Sequence, residues 1–268
     1  MSRTRKIAIG VLLATCVLSL GANFFAPVSY DRQFRDDIDR PPTHQFLLGT
    51  DELGRDRFSR LLYGMRISLL LAPAAALLST VLSAILGGLG AYFGGIWDRL
   101  ATFFIDLFLS LPWLFLLLTV RALLPLNVPP VTSIVVTFAL LGLLGWAAAA
   151  RVVHASVRTL RNSDFVLQAR ASGCGRLRLL FVHLLPNLRP ILLAQFWISI
   201  PVFILTEANL GLMGLGVSEP LPSWGNLLRE LENYTAIAHN LWQLVPLVSL
   251  VIVVSCFQFV LSEEEFAA

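Results

Sequence analysis

Lysine is nearly missing from this chain. Of its 20 basic residues 19 are arginine, and Lys6 is the single exception. A P-loop of the form G-x-x-x-x-G-K-[ST] needs a lysine on the phosphates, so no such site is encoded. Any ATP has to be bound by another chain. Charge is scarce altogether: 14% of the 268 residues are charged, against roughly 25% in soluble domains. Cysteine is reduced to Cys16, Cys174 and Cys256, with no C-x-x-C pair. The four histidines, His44, His154, His183 and His239, show no H-E-x-x-H spacing. Metal and thiol chemistry are therefore not expected, no cofactor is assigned to the chain, and no nucleic-acid partner is either.

What the sequence has instead is apolar length. Hydrophobic residues make up 56% of it and its mean hydropathy is +0.75. A membrane-crossing helix needs ~20 mostly apolar residues. Six stretches qualify, at about 7–28, 67–94, 101–124, 131–150, 190–212 and 241–261. The expected fold is an all-α membrane protein of about six transmembrane helices. Residues 1–28 read as an N-terminal span, with a signal peptide as the alternative. Residues 29–66 form an extracytoplasmic loop, 67–261 the transmembrane body, and 262–268 a tail. In the loop, Phe58, Leu61, Leu62 and Met65 recur at helical spacing, which predicts an amphipathic helix on the membrane surface.

Basic residues near span ends set orientation. Arg3, Arg5 and Lys6 hold the N-terminus in the cytoplasm, and six spans return the C-terminus there. The segment 151–189 then faces the cytoplasm, with seven arginines against the single acid Asp164. The loop 29–66 carries seven arginines too, balanced by seven acids, so the rule alone leaves its side ambiguous. Within 151–189, Asn162, Ser163 and Asp164 offer caps for a helix start. Gly173 and Gly175 permit a sharp turn. Leu177, Leu180, Phe181 and Leu184 then make an apolar stripe ended by Pro186. A basic helix–glycine–helix of this kind reads as a docking projection rather than an ordinary loop.

"F-V-L-Q-A-R-A-S-G-C-G-R-L-R-L-L-F-V-H-L-L-P-N", residues 165–187, resembles the EAA loop of permeases from binding-protein-dependent ABC importers. Ala169, Gly173, Leu185, Pro186 and Asn187 match the pattern, with Arg170, Ala171 and Arg176 between them, while Leu167 and Gln168 replace its initial Glu-Ala. "H-Q-F-L-L-G-T-D-E-L-G-R-D-R-F-S-R-L-L-Y-G-M-R-I-S-L", residues 44–69, is similar to the signature before span two in dipeptide/oligopeptide permeases of the second, "C" type. It carries Gly49, Thr50, Asp51, Gly54, Arg55, Asp56, Ser59, Arg60, Gly64 and Arg66. Residues 91–112 and 204–228 resemble further segments of the same family, in the same order. The chain departs from it at the end, where "S-E-E-E-F-A-A" replaces a G-D-G-L-R-D-like tail.

The resemblance implies a permease subunit of an ATP-driven peptide importer in a bacterial inner membrane. Its implied partners are a homologous permease, two ATP-binding subunits, an extracytoplasmic solute-binding protein and the lipid bilayer. Residues 165–184 would contain the coupling helix, and residues 218–240 would help receive the binding protein. Asp106 and Glu207 fall inside predicted spans, where carboxylates are costly and usually functional. They support the competing expectation of an ion-coupled secondary transporter; the other reading of each is a polar contact to a neighbouring helix. Pro73, Pro112 and Pro201 are expected to kink their spans.

Overall fold

A computed structural model of the protein describes residues 3–125, 128–232 and 241–265. The formal glycosylation sequon at Asn233, the last part of the 218–240 loop and the end of the tail lie outside the described residues. Among the described residues the regular structure is helical, apart from two isolated bridges, Gln33–Arg55 and Thr50–Asp56. In order the helices are α1 (Arg3–Leu20), α2 (Ala22–Phe25), α3 (Arg57–Ser83), α4 (Gly90–Phe93), α5 (Ile96–Ser110), α6 (Trp113–Leu123) and α7 (Pro130–Leu144). There follow α8 (Ala147–Arg161), α9 (Asp164–Ala171), α10 (Arg176–Arg178), α11 (Leu185–Leu212), α12 (Trp224–Arg229) and α13 (Val245–Glu265). π-Helical turns, Ala84–Leu89 and Leu179–Leu184, join α3 to α4 and α10 to α11.

Four continuous runs are long and apolar enough to cross a membrane: Arg57–Phe93, Pro130–Arg161, Arg176–Leu212 and Leu241–Ser262. The pair α5 and α6 makes a fifth if it counts as one span, but its two halves meet at 83°. The expected third span at 101–124 is therefore a broken one. Leu111, at the break, is extended with φ −88° and ψ 133°, the conformation that a following proline imposes. Pro73 and Pro201, by contrast, lie inside the continuous helices α3 and α11. The expected first span is shortened: α1 stops at Leu20, and α2 adds only one turn.

Two further expectations are corrected. The segment with Phe58, Leu61, Leu62 and Met65 is not a separate surface helix but the start of α3. Leu61, Leu62 and Met65 are buried within the protein, so their apolar face meets this chain rather than lipid. Nor does Pro186 end a helix, because α11 begins at Leu185 and runs through it. A proline has no N–H for the preceding turn, and the π-helical turn directly before it is where the hydrogen-bond register changes.

The chain divides into two compact units, each assembled from separate stretches. The first comprises residues 1–72, 121–138 and 201–268. In it α1 packs along α13, and Trp224 is fully buried with its Nε1–H donating to Ser249 Oγ at 3.1 Å. Its tightest backbone contact joins α11 to α12. A methyl on Gly211 would stand 2.2 Å from the Cα of Gly225, a distance that only hydrogen substituents permit. Gly216 closes on the same point, 2.7 Å from Gly211 Cα by the same construction. Gly211 and Gly216 thus serve packing.

The second unit comprises residues 73–120 and 139–200. Its core is Ala91, Tyr92, Val153, Val157, Val166, Leu179, Leu184 and Leu188. The glycine-rich end of the second span works as small residues do in membranes, by letting helices approach. A methyl on Gly87 would reach within 2.5 Å of the Ala150 carbonyl oxygen. Phe103, Phe104, Leu107 and Leu109 of α5 are exposed, an apolar outer face suited to lipid.

Gly211→Ala should lower the thermal midpoint of the detergent-extracted chain by the equivalent of about 1–3 kcal/mol or more, because backbone rather than a side chain must move. Gly10→Ala, with nothing within 4 Å of its added methyl, should be neutral or stabilising by up to about 1 kcal/mol. Equal midpoints for both variants would show that the Gly211–Gly225 contact is not what holds α11 to α12.

Candidate functional site

The signature before span two folds into a tight capping lobe in the first unit. Gly54 has φ +71°, and a methyl there would sit 2.1 Å from the Phe34 carbonyl oxygen. Only glycine serves such a position, and Gly49 meets the same double demand against Arg40. The turn they permit aims Asp51 inward. Its Oδ1 accepts from the backbone N–H of Leu53 at 3.0 Å and of Arg55 at 2.7 Å. Its Oδ2 accepts from Arg55 Nε at 2.7 Å and from Arg60 Nη1. Asp56 caps α3, taking the Ser59 N–H at 2.8 Å and the Ser59 hydroxyl at 2.6 Å. Thr50 Oγ1 accepts from the Arg40 N–H at 2.9 Å.

The same arginines reach the chain after α11. Arg60 Nη2 donates to Glu219 Oε1 at 3.0 Å and its Nη1 to Glu230 Oε1 at 2.9 Å. Arg55 Nη1 bonds the other oxygen of Glu219. Arg57 Nε donates to Glu230 Oε2 at 3.2 Å. Three arginines and three carboxylates thus form one cluster, with Asp51, Arg55, Arg57 and Arg60 all buried. Gly64 and Arg66 continue the connection: a methyl on Gly64 would stand 3.3 Å from Ser223 and Leu227, and Arg66 Nη1 donates to Asn23 at 3.2 Å. The structure therefore brings together the two quoted stretches 44–69 and 204–228. Arg57 was not singled out in the motif, yet it belongs to the cluster.

Electrostatics differ across the cluster. Burial pushes the Asp51 carboxyl up, but Arg60, the Arg55 N–H and the Arg55 guanidinium together outweigh this and hold it below the usual aspartate range. Burial likewise disfavours the Arg55 cation, and Asp51 and Glu219 more than restore it, raising its pKa. For Glu230 burial dominates, so its carboxyl stays above the usual range despite Arg60 and Arg57.

The two intramembrane acids part company. Asp106 is exposed and paired with the equally exposed Arg151. Glu207 is completely buried in α11; its Oε2 accepts from Ser68 Oγ at 3.3 Å, and its Oε1 rests against Gly225. Each belongs to its own unit, Asp106 paired at the surface of the second and Glu207 inside the first. A buried group that the sequence reading passed over is Arg121 in α6, 1% exposed. An arginine within an otherwise apolar run is the signal that marks it.

The basic segment lies in the second unit. Gly173, exposed, has φ +79° with no atom within 4 Å of an added methyl, so the turn alone requires glycine. Gly175 does not share the role: it precedes α10 with φ −65°. Ser163 stands at the start of α9 without a side-chain cap; its hydroxyl donates to Leu160 O at 2.6 Å. The Arg176 carbonyl accepts from Tyr92 OH at 2.6 Å, and Asn187 Nδ2 donates to His183 O at 2.6 Å. The expected apolar stripe splits. Leu184 is buried beside Leu179, whereas Leu177 and Phe181 point outward. Arg170, Ala171, Leu185 and Pro186 are exposed as well, and Ala169 is partly covered.

Residues 67–262 match the family model of the binding-protein-dependent transport system inner membrane component. Among curated relatives, the di/tripeptide transport system permease protein DppC of Pseudomonas aeruginosa is 37% identical over 93% of this chain and 82% of its own. The dipeptide transport system permease protein DppC of Bacillus subtilis is 34% identical over 82% of this chain and 67% of its own. The oligopeptide transport system permease protein OppC of the same organism is 31% identical, covering 90% and 78%. The chain belongs to this family of binding-protein-dependent permeases, and it is a membrane-embedded permease subunit of an ABC importer. The ion-coupled alternative is set aside with that assignment.

Asp51→Asn leaves two buried guanidinium groups short of a carboxylate, and loss of a buried ion partner costs about 3–5 kcal/mol. Glu230→Gln should cost clearly less, since burial already opposes its charge. The sign for pH follows from Asp51: a depressed carboxyl adds stability above its unfolded value, about 3.9, and loses it as pH falls through the lower folded value. The D51N deficit should therefore persist at pH 5 and fade only below the ordinary aspartate range. Thermal midpoints of both variants against pH check this; equal deficits would contradict the division of roles.

Proposed function

We propose that this chain forms half of the translocation pathway of a peptide importer, paired with a homologous permease and driven by two ATP-binding subunits. The observation that carries the reading is the outward face around the Gly173 turn. Leu177, Phe181 and Val182 are 67%, 61% and 56% exposed, and they stand among Arg170, Arg176 and Arg178. An apolar, arginine-rimmed projection fits a partner's groove better than it fits water or a headgroup layer, since interface cores favour aromatic side chains and arginine. In this reading 165–184 is the coupling segment, with Ala169, Arg170, Ala171, Gly173, Arg176, Leu185, Pro186 and Asn187 shaping or flanking it.

The two chain ends and the coupling segment face the cytoplasm of a bacterial inner membrane. The Asp51–Arg60 lobe and the segment after α11 face outward, where a solute-binding protein delivers cargo. ATP is held by the partner subunits, and this chain carries neither a cofactor nor an ATPase site. The di- and oligopeptide cargo of the relatives is the cargo class assigned here. Transmission requires the coupling segment to meet the ATPases differently in their two states. Asp106 and Glu207 act as structural polar contacts in this scheme.

The test begins with gentle extraction of the tagged chain from its native membrane. Two ATPase chains and a second permease should co-purify. Gly173→Pro, which cannot adopt φ +79°, should leave the chain in the membrane yet reduce peptide uptake by about 5–150-fold, the span of typical coupling energies. Uptake that tolerates G173P but collapses in Asp106→Asn or Glu207→Gln would overturn the assignment.

A further inference from the structure

Arg121 is the one fully buried arginine among the described residues that has no carboxylate within ion-pair distance. Its Nη2 donates to Ser133 Oγ at 3.1 Å and to the Gly216 carbonyl at 3.3 Å. Its Nε and Nη1 are shielded from water and have no hydrogen-bond partner among the described residues. Arg60, equally buried, is surrounded by three carboxylates. A buried cation left uncompensated is strongly unfavourable, so an anion is called for, and it has to come from outside the described residues.

The surroundings provide the room. Arg121 lines a cavity of about 220 Å³ together with Gly216, Ser218, Glu219, Asn226 and Arg229. Arg229, which is exposed, forms no ion pair among the described residues and adds a second positive charge. The one carboxylate in the wall, Glu219, is already engaged by Arg55 and Arg60. Ser218 contributes a hydroxyl 2.9 Å from Ser133 Oγ. The volume suits one end of a small solute rather than a whole one. A larger open cleft of about 690 Å³ shares Glu219, Asn226 and Arg229 with it and leaves space for the remainder.

We infer that the Arg121 cavity is a carboxylate subsite for the transported solute, taking the free C-terminal carboxylate of a peptide. The inference rests on the importer reading given above. The carboxylate enters beside Ser218 and meets a guanidinium whose Nε and Nη1 have no partner among the described residues. Arg229 attracts it at the mouth. A charge-assisted hydrogen bond of this kind distinguishes an acid from its amide, because the amide brings no charge and presents N–H groups to an arginine that can only donate.

The experiment uses the full complex, purified with its partner subunits and without the binding protein. Its composition on a gel tests the importer reading before any ligand is added. Alanylalanine and its C-terminal amide are then titrated separately while the thermal midpoint is recorded. Alanylalanine should raise the midpoint saturably and the amide should not. Arg121→Met should weaken the dipeptide by about tenfold or more, the worth of a charge-assisted hydrogen bond, and Arg229→Gln by less. Should R121M fail to assemble, the comparison of acid and amide on the unmodified complex still decides. Equal stabilisation by acid and amide would overturn the inference. So would chloride or phosphate protecting as well as the dipeptide, which would make this a resident-ion site, or R121M retaining the preference for the acid.

Discussion

The carboxylate of Asp51 is the fixed point of the first unit. It accepts from two backbone N–H groups and two guanidinium groups at once, which uses all of a carboxylate's capacity. The arginines it orients are thereby held at angles from which they also reach Glu219 and Glu230. Burying four of these six charges is expensive, and such clusters are poor sources of stability compared with apolar packing. Their value is geometric, since only one arrangement satisfies every member. That arrangement clamps the turn before α3 to Glu219 ahead of α12 and Glu230 just after it, more than 150 residues later in the chain. It also gives the lysine shortage a physical sense. A guanidinium fork can serve two carboxylates in fixed directions, whereas an ammonium is a point charge with no preferred plane.

The same cluster bears on orientation. Counted as free cations, the arginines of 29–66 compete with those of 151–189 for the cytoplasmic side. They are not free. Arg55, Arg57 and Arg60 are committed to Asp51, Glu219 and Glu230, and Arg40 lies 2.7 Å from Asp37. Around Gly173, by contrast, Arg170, Arg176 and Arg178 are all exposed, and none forms an ion pair among the described residues, while Arg32 and Arg35 stay exposed in the loop. The positive-inside rule gives acids little weight because it concerns chains during insertion. The folded lobe shows why this loop carries basic residues for a different purpose.

Much of this was legible in the sequence, and the failures have physical causes. Apolar length located the main helices, and the Gly173 turn followed from glycine chemistry. The break at Leu111–Pro112 was foreseen only as a kink. A proline says that the helix is disturbed, whereas the 83° angle depends on what each half packs against. Helical periodicity correctly marked Leu61, Leu62 and Met65 as one face but could not say whether lipid or protein covers it. For Leu177, Leu180, Phe181 and Leu184 the same periodicity marked a single stripe, which instead splits into exposed Leu177 and Phe181 and buried Leu184, because the π-helical turn at Leu179–Leu184 changes the register along it. Motif resemblance picked out Asp51, Arg55 and Arg60, yet their partners Glu219 and Glu230 lie far along the chain, beyond any local pattern.

Glu207 and Arg121 show how a polar group is kept in an apolar body. Both are fully buried in the first unit, they carry opposite formal charges, and they are not paired with each other. Each instead faces the chain between α11 and the end of α12. Gly225 covers the Glu207 oxygen at a distance that leaves no room for a methyl, while Gly216 offers its carbonyl to Arg121. Gly211 and Gly225 touch backbone to backbone between these two points. The connecting segment is thus seated by glycine contact on one side and by an arginine hydrogen bond on the other. Because neither contact uses a side chain of the segment itself, Ser218, Glu219 and Asn226 are left to line the adjoining cavity. Those side chains are fixed in their turn: Ser218 Oγ donates to Ser133, Glu219 accepts from Arg55 and Arg60, and Asn226 Nδ2 donates to the Val217 carbonyl, so the cavity wall is held in one arrangement.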